Sequence, residues 1–311
     1  MFWSLYLPVA GNGINILLLL GLGGTVGFLS GLFGVGGGFL MTPLLIMAGI
    51  PSTVAAASDS NQIVAASTSG SYAHYRLGNV DIKMGIILIL GGIIGGTLGV
   101  YLIKLLRALG NADFVIKLTY VIMLGVIGSY MFVESLQSMR RKPVETRRVE
   151  AEPGKVSLYN RLIQALPYQM KFEKSGVIIS PLLPFILGIF VGVLAAIMGV
   201  GGGFIMVPVM VYMLRMPMHV VVGTSLLQIL FTCINVTIMQ SITNHTVDMV
   251  LAIILLLGST VGAQFGVRLS RRLKADQLKI LLASIVLLVM VQMLASLVIS
   301  PDLLLAHKGG H

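Results

Sequence analysis

The sequence is poor in charged residues and in cysteine. Only 10% of its 311 residues are charged, against about 25% in soluble domains, which excludes a water-soluble globular protein. The single cysteine, Cys233, lies in an apolar stretch, so a disulfide scaffold is excluded as well. We find no phosphate-binding loop, no Ser–His or Cys–His pair placed for catalysis and no cluster of metal ligands. We therefore expect neither an enzyme nor a bound cofactor.

Hydrophobic residues are abundant instead. They make up 56% of the chain, and the mean hydropathy is +0.97. Apolar stretches of about 18 residues or more recur along the whole length and are continuous, without the period-2 alternation of a membrane barrel. The pattern predicts an all-α polytopic membrane protein, with the lipid bilayer as its surroundings.

The chain consists of two homologous repeats. The motif GVGGGF at Gly34–Phe39 returns 165 residues later at Gly199–Phe204, and each copy is followed by a proline at the same distance. Gln62 and Gln228 correspond at an offset of 166, and later glycines correspond at 167. Two single-residue insertions account for all of these correspondences, so the repeats have one architecture.

Each repeat holds five apolar segments, of which the second is short. The segments are 14–33, 37–50, 53–75, 82–103 and 113–136, then 178–199, 203–215, 219–242, 248–268 and 276–299. About 13 residues of helix cover ~20 Å, which is less than the ~30 Å hydrocarbon core. We therefore predict eight long transmembrane helices plus two short broken or re-entrant helices, in a first repeat (14–136) and a second repeat (178–299).

A basic linker, residues 137–177, joins the repeats. It carries nine Lys/Arg and four Asp/Glu, half of the net charge of +10, and no nucleic-acid-binding motif accompanies it. If the short segments cross the membrane, 17 Lys/Arg lie on the linker side and 4 on the other; if they turn back, the counts are 12 and 9. The positive-inside rule thus predicts inverted repeats in the cell inner membrane with a cytoplasmic linker, and no nucleic-acid partner.

The glycine runs and the polar third segments predict a substrate site. Free N–H groups and the positive dipole end at a helix N-terminus bind an anion without a formal charge, and the third segments align their polar residues on matching faces. Close helix packing at glycine, serine and threonine is the alternative. The predicted substrate-binding residues are Gly36, Gly37, Gly38, Ser58, Asn61, Gln62, Gly201, Gly202, Gly203, Thr224, Ser225 and Gln228.

Asp59 is the only acidic residue in the sequence that lies well inside a polar segment. The corresponding residue of the second repeat is Ser225. A carboxylate at this depth predicts an ion-coupling group, or else a paired structural acid. A cation or metal-ion carrier, or a channel, would use Asp59 as a ligand. A sensor that presents the linker to a partner is a further alternative, and the sequence predicts no oligomeric state.

Several motifs resemble one family. The two G-x-G-G-G-F-x-x-x-P elements, the triplet Gly223-Thr224-Ser225 and the stretch 74–81, HYRLGNVD, together resemble the TauE/SafE sulfite exporters. The first repeat has Ala57-Ser58-Asp59 in place of the Gly-Thr-Ser triplet. The resemblance implies a secondary carrier, an exporter of sulfite, an organosulfonate or a related small sulfur-containing anion.

Overall fold

The computed structural model describes residues 4–33, 38–140, 169–214, 216–270 and 275–299. Ten α-helices form within these ranges, one for each predicted segment. They are α1 Ile16–Phe33, α2 Gly38–Met47, α3 Ser52–Arg76, α4 Ile82–Ala108, α5 Ala112–Arg140, α6 Leu182–Met198, α7 Gly203–Pro208, α8 Met218–Asn244, α9 Met249–Ser270 and α10 Ala275–Ile299. The prediction of five helical segments per repeat is confirmed, while residues 141–168 of the linker lie outside the described residues.

Two β-hairpins, which were not predicted, precede the repeats. Strands β1 (Ser4–Leu7) and β2 (Asn12–Asn15) pair antiparallel before α1, and β3 (Met170–Phe172) and β4 (Val177–Ile179) pair antiparallel before α6. The second hairpin lies largely within residues 137–177, the predicted linker. Strands of three or four residues are too short for alternation to show in the sequence. The hairpins correspond at the same offset of 165, so the homology between the repeats begins before the first helix.

The second helix of each repeat is short and contains a proline. α2 has ten residues with Pro43 inside it, and α7 has six and ends at Pro208. A π-helical turn, Val209–Met213, continues α7. Proline lacks the N–H that an α-helical ladder requires, so the chain widens its turn there. The second short helix is therefore irregular where the sequence predicts a broken helix, whereas α2 is α-helical from Gly38 to Met47.

Five described stretches are long and apolar enough to cross a membrane. They are Ile82–Ala108, Ala112–Val133, Met218–Asn244, Met249–Gly266 and Ile280–Val298. Three shorter apolar helical stretches accompany them, Ile16–Ser30, Gly38–Met47 and Leu182–Met198. The 25-residue helix α3 is more polar, since it carries the serines, Asp59 and Gln62. This composition is that of a multi-pass helical membrane protein.

Helices of opposite repeats approach each other at glycine. On α4, a methyl group added at Gly91 would lie 2.3 Å from the Phe185 oxygen of α6, and one at Gly95 would lie 2.0 Å from the Ile189 oxygen. The contact advances by four residues on both helices, so α4 and α6 run parallel. Their backbones touch, which only glycine permits.

The pair α1 and α9 repeats this arrangement. A methyl group at Gly23 would lie 2.9 Å from the Leu255 oxygen, and one at Gly27 would lie 2.2 Å from the Ser259 oxygen. α1 is the counterpart of α6, and α9 is the counterpart of α4. The two repeats therefore exchange the same contact, first helix against fourth helix, in both directions.

Two further inter-repeat pairs join equivalent helices, and these run antiparallel, while α4 also packs against α8. Gly70 of α3 contacts Leu226 of α8, and Ile63 of α3 contacts Ile229 of α8. Residue numbers therefore decrease along α3 as they increase along α8. α5 and α10 behave alike, because Gly125 lies against Met290 and Gly128 against Val286.

We predict that Gly95→Ala and Gly262→Ala each lower the free energy of unfolding by about 1–3 kcal/mol, because the methyl group overpacks a backbone contact. At both positions the nearest backbone oxygen would lie 2.0 Å from the new carbon atom. Gly21→Ala is the matched control, since no atom lies within 4 Å of its methyl group. Thermal unfolding of the purified protein in detergent measures the difference; equal melting temperatures for all three variants would contradict the packing.

Candidate functional site

The glycine breaks of the two repeats meet inside the protein. Phe39 of α2 and Phe204 of α7, which correspond in the repeat, stack with ring centroids 4.5 Å apart and an interplanar angle of 10°. A methyl group at Gly38 would lie 3.4 Å from the Cα of Val200 in the second break. The structure thus brings together the two helix starts that the sequence predicts to face each other. Gly36 and Gly37 lie outside the described residues.

Two isoleucines cover these helix starts. A methyl group at Gly38 would lie 2.3 Å from the Ile63 Cδ1, and one at Gly203 would lie 2.5 Å from the Ile229 Cδ1. Ile63 and Ile229 also pack against each other with Cys233, where α3 crosses α8. Aliphatic side chains therefore pack directly against both helix starts in this structure.

Gly201 and Gly202 adopt left-handed conformations, with φ of +70° and +78°. Added methyl groups there would lie 2.6 Å from the Cys233 Sγ and 2.3 Å from the Val191 Cγ1. Both positions thus require glycine for backbone conformation and for space. The close contacts agree with the alternative that these glycines serve helix packing. The backbone N–H groups of Gly201 and Gly202 lie in the protein interior.

Two side chains of the first repeat hold the carbonyl groups of this break. The Tyr120 hydroxyl on α5 donates to the Met198 oxygen, and the Ser60 hydroxyl on α3 donates to the Gly199 oxygen at 3.3 Å. The single Ser60 proton is shared with the Ala56 oxygen of its own helix at 3.1 Å, so Tyr120 provides the more specific bond to the end of α6.

The paired glutamines are buried and incompletely bonded. Gln62 is 8% exposed and Gln228 is fully buried, and no described residue donates a hydrogen bond to the Oε1 of either. The Gln228 Nε2 donates to the Thr232 Oγ1 at 2.9 Å, in space that Gly92 leaves free. An unsatisfied buried acceptor costs about 1–3 kcal/mol. Two such atoms, one on each repeat beside Ile63 and Ile229, indicate a place where a ligand or a conformational change supplies the missing bonds.

Asp59 is fully buried next to the first broken helix. Its Oδ2 accepts a hydrogen bond from the Thr42 hydroxyl of α2 at 2.9 Å, whereas no described side chain or backbone group bonds to its Oδ1. The Tyr120 hydroxyl and the Cys233 thiol lie within electrostatic reach of the carboxyl group. Ser225, its counterpart, donates to the Val222 oxygen of its own helix at 3.1 Å.

Ser58 and Thr224 are engaged at the ends of other helices. The Ser58 hydroxyl accepts from the backbone N–H of Asp248 at 3.1 Å, and the Thr224 hydroxyl accepts from that of Asp81 at 3.0 Å. Each ties the third helix of one repeat to the start of the fourth helix of the other. Asn61 lies on a partly exposed face and contacts the Met249 Sδ at 3.7 Å, away from the neighbouring Gln62.

The two aspartates at these ties also bind the hairpins. The Asp81 carboxylate accepts from the Met84 N–H in α4 and from the N–H and hydroxyl of Ser175 in the β3–β4 turn, at 3.1, 3.1 and 2.5 Å. The Asp248 carboxylate accepts from the Leu251 N–H in α9 and from the Val9 N–H in the β1–β2 turn, both at 3.1 Å. Each aspartate is an N-cap that joins elements of both repeats.

Sequence reasoning missed Thr42, Tyr120 and a polar network at the end of α8. There the Gln240 Oε1 accepts a hydrogen bond from the Asn244 Nδ2 at 2.6 Å. The backbone carbonyl oxygen of Asn244 accepts one from the Arg107 guanidinium at 2.7 Å. Thr42 could have been predicted, because it is a polar residue in an apolar segment. Tyr120 could not, because aromatic residues are common in membrane-spanning helices.

A groove of about 700 Å³ lies elsewhere, between α1 and α9, and is lined by glycines, Thr25 and apolar side chains that include Phe28 and Phe265. None of the predicted substrate-binding residues lines it. The groove follows the glycine-mediated contact of these two helices.

Helices that can span a bilayer, broken short helices and polar groups buried between them define a multi-pass helical membrane protein. The sequence matches the family model "Sulfite exporter TauE/SafE" over residues 19–293, so the chain belongs to this family. The match includes both repeats, and the predicted resemblance is confirmed.

Relatives in two bacteria carry the name of membrane transporters. "Probable membrane transporter protein YunE" of Bacillus subtilis (strain 168) is 25% identical over 90% of this chain and 96% of its own length. "Probable membrane transporter protein YjnA" of the same strain is 27% identical, over 87% and 96%. A "Probable membrane transporter protein" of Xylella fastidiosa (strain 9a5c) is 27% identical, over 85% and 88%. No solved structure matches the chain significantly. Membership and relatives together make this protein a membrane transporter.

We predict that Ser58→Ala and Thr224→Ala each lower the free energy of unfolding by about 1–3 kcal/mol, because a buried backbone N–H loses its acceptor. Ser69→Ala is the matched control: its exposed hydroxyl donates to a carbonyl of its own helix, and its removal changes stability by less than about 0.5 kcal/mol. Thermal unfolding in detergent compares the three. Stabilities that match the control would show that these hydroxyl bonds do not hold the helix ends.

Proposed function

We propose that the protein is a secondary transporter that exports sulfite, an organosulfonate or a related small sulfur-containing anion across the inner membrane. The family gives the transporter, and the observation that carries the anion site is the pair of buried glutamine amides beside two converging helix breaks. An anion cannot bond to their oxygen atoms, which are acceptors, but no described residue bonds to these oxygens or holds the amides in their present orientation through them. Amide groups of this kind can turn to present N–H donors to an oxyanion.

The proposed topology has inverted repeats, with eight long and two short transmembrane helices. Two observations support it. Equivalent helices, α3 with α8 and α5 with α10, run antiparallel, as repeats related by an axis in the membrane plane require. This arrangement also gives the larger excess of Lys/Arg on one face and makes the linker cytoplasmic.

In the proposed site, the anion is bound by dipoles rather than by a cation. Inside the segments that form it there is no Lys or Arg, and Arg215 lies only at the far end of the second short segment. The backbone N–H groups of Gly36–Gly38 and Gly201–Gly203 and the amides of Gln62 and Gln228 therefore supply the donors. Four further polar side chains complete the proposed site once their present hydrogen bonds break: Ser58, Asn61, Thr224 and Ser225. Binding without a formal counter-charge suits a carrier, because the anion must also leave.

Transport requires the isoleucines to move. Ile63 and Ile229 cover both helix starts, so the structure corresponds to a closed conformation of the carrier. In the proposed cycle, α3 and α8 shift against the broken helices and open the site to one side at a time, while the glycine-packed pairs move as rigid units. Asp59, which contacts the first broken helix through Thr42, is the proposed ion-coupling residue.

The inverted topology predicts that Leu77→Cys and His245→Cys lie on opposite sides of the membrane. These exposed positions end α3 and α8, two equivalent helices, and the native Cys233 is buried. In intact cells, a membrane-impermeant thiol reagent labels His245→Cys, and it labels Leu77→Cys only after permeabilisation. The unmodified protein gives the background. Labelling of both positions from one side would contradict inverted repeats.

The anion site predicts that thiosulfate, sulfite or sulfoacetate raises the melting temperature of the purified protein. A ligand at 100 times its dissociation constant adds about 2.7 kcal/mol of stability. Gln62→Ala and Gln228→Ala each weaken binding by about 1–3 kcal/mol, because an oxygen atom of the anion loses its donor. Gln264→Ala, on the exposed face of α9, is the control and binds as the unmodified protein does.

If only divalent metal ions raise the melting temperature, the ligand of this protein is a cation and the anion proposal is wrong. Equal anion affinity in the unmodified protein and both glutamine variants would remove the glutamines from the site.

A further inference from the structure

The polar cluster around Asp59 exists in one repeat only. Its partner Thr42 corresponds to Val207, at the offset of the broken helices. Asp59 itself corresponds to Ser225. The fifth helices align at an offset of 163, through Ala112-Asp113 and Ala275-Asp276, because the second repeat is four residues shorter after the glycines of its fourth helix. This alignment makes Ala283 the counterpart of Tyr120. An aliphatic side chain, a hydroxyl and a methyl group thus replace the whole cluster in the second repeat.

Among the described residues, no cation acts on the Asp59 carboxyl group. From α2 it meets the hydroxyl and the backbone of Thr42, from α5 the Tyr120 hydroxyl, and from α8 the Cys233 thiol. The neighbouring part of α6 contributes only backbone atoms near Ser60. From α9 the charged group is Asp248, whose carboxylate is bound by its own helix start and by the first hairpin.

These contacts are too few for a bound metal ion and leave an ionised carboxylate unsupported. Hard cations take six or more oxygen ligands, whereas here one hydroxyl donates to Oδ2 and the Tyr120 hydroxyl is committed to the Met198 oxygen. A buried carboxylate with one unbonded oxygen and no counter-charge is among the costliest groups in a protein interior. A proton on that oxygen removes the charge. It leaves one O–H donor in the interior, and an unmet neutral donor costs far less than an unpaired buried charge.

We propose that Asp59 carries a proton on Oδ1 in the closed conformation and that this proton is the ion coupled to transport. Water takes the proton from Oδ1 when the site opens to one side, and water on the other side returns it. Since the second repeat has no such cluster, the first repeat alone supplies the proton. The coupling role rests on the proposed function, whereas the presence of the proton does not.

Infrared spectroscopy of the purified protein at neutral pH tests the proton directly. We expect a C=O band of a protonated carboxylic acid that is absent from Asp59→Asn. Thr42→Val keeps the acid but removes its hydrogen bond, so the same band moves to higher frequency. This second variant decides the result even if Asp59→Asn does not fold. The band is the same in sodium-free buffer.

A neutral-pH spectrum without this band, or a band that neither variant alters, would overturn the proposal. A band that disappears on addition of sodium would assign Asp59 to a sodium ion instead. In vesicles, an acid gradient drives thiosulfate accumulation by the unmodified protein, and Asp59→Asn loses it. If the unmodified protein moves no sulfur anion, the proposed substrate fails, while the infrared result still decides whether Asp59 holds a proton.

Discussion

Direct backbone contact between helices of opposite repeats is the constraint on which the rest of the structure depends. α4 lies on α6, and α1 on α9, so closely that methyl groups at Gly95 or Gly262 would lie 2.0 Å from a backbone oxygen. Within lipid there is little hydrophobic gain from helix association, so van der Waals contact at small residues has to hold such pairs together. Two pairs built this way fix the position of each repeat on the other. The short second helices lie between them and meet at Phe39 and Phe204.

Polar contacts at the periphery and at the centre differ in how fully they are satisfied. At the helix ends, Asp81 and Asp248 accept several hydrogen bonds each and bind elements of both repeats. At the centre, Gln62, Gln228 and Asp59 each keep an oxygen atom that no described residue bonds. A protein that only needed stability would satisfy or remove these groups. Their position beside the breaks is the reason for proposing a binding site there in addition to helix packing.

Much of the architecture could be predicted from the sequence, because hydrophobic length and internal homology are both long-range signals. All ten helices and the shortness of the second helices follow from them, and they mark Gln62 and Gln228 as corresponding polar residues. The hairpins could not be predicted, since their strands have only three or four residues. The present contacts of Ser58 and Thr224 could not be predicted either, because they are made with helix ends more than 140 residues away in the chain. Sequence patterns show which face is polar, and the packing decides which partner each group meets.

The position of a bound anion tests the central claim most directly. A crystal structure of the protein grown with selenate, a heavier analogue of sulfate, would locate the anion by its anomalous scattering. The account predicts a single strong site between the two helix breaks, within hydrogen-bond distance of the Gln62 or Gln228 amide and with Ile63 or Ile229 displaced. Anion bound only at the basic surface, or in the groove between α1 and α9, would contradict it.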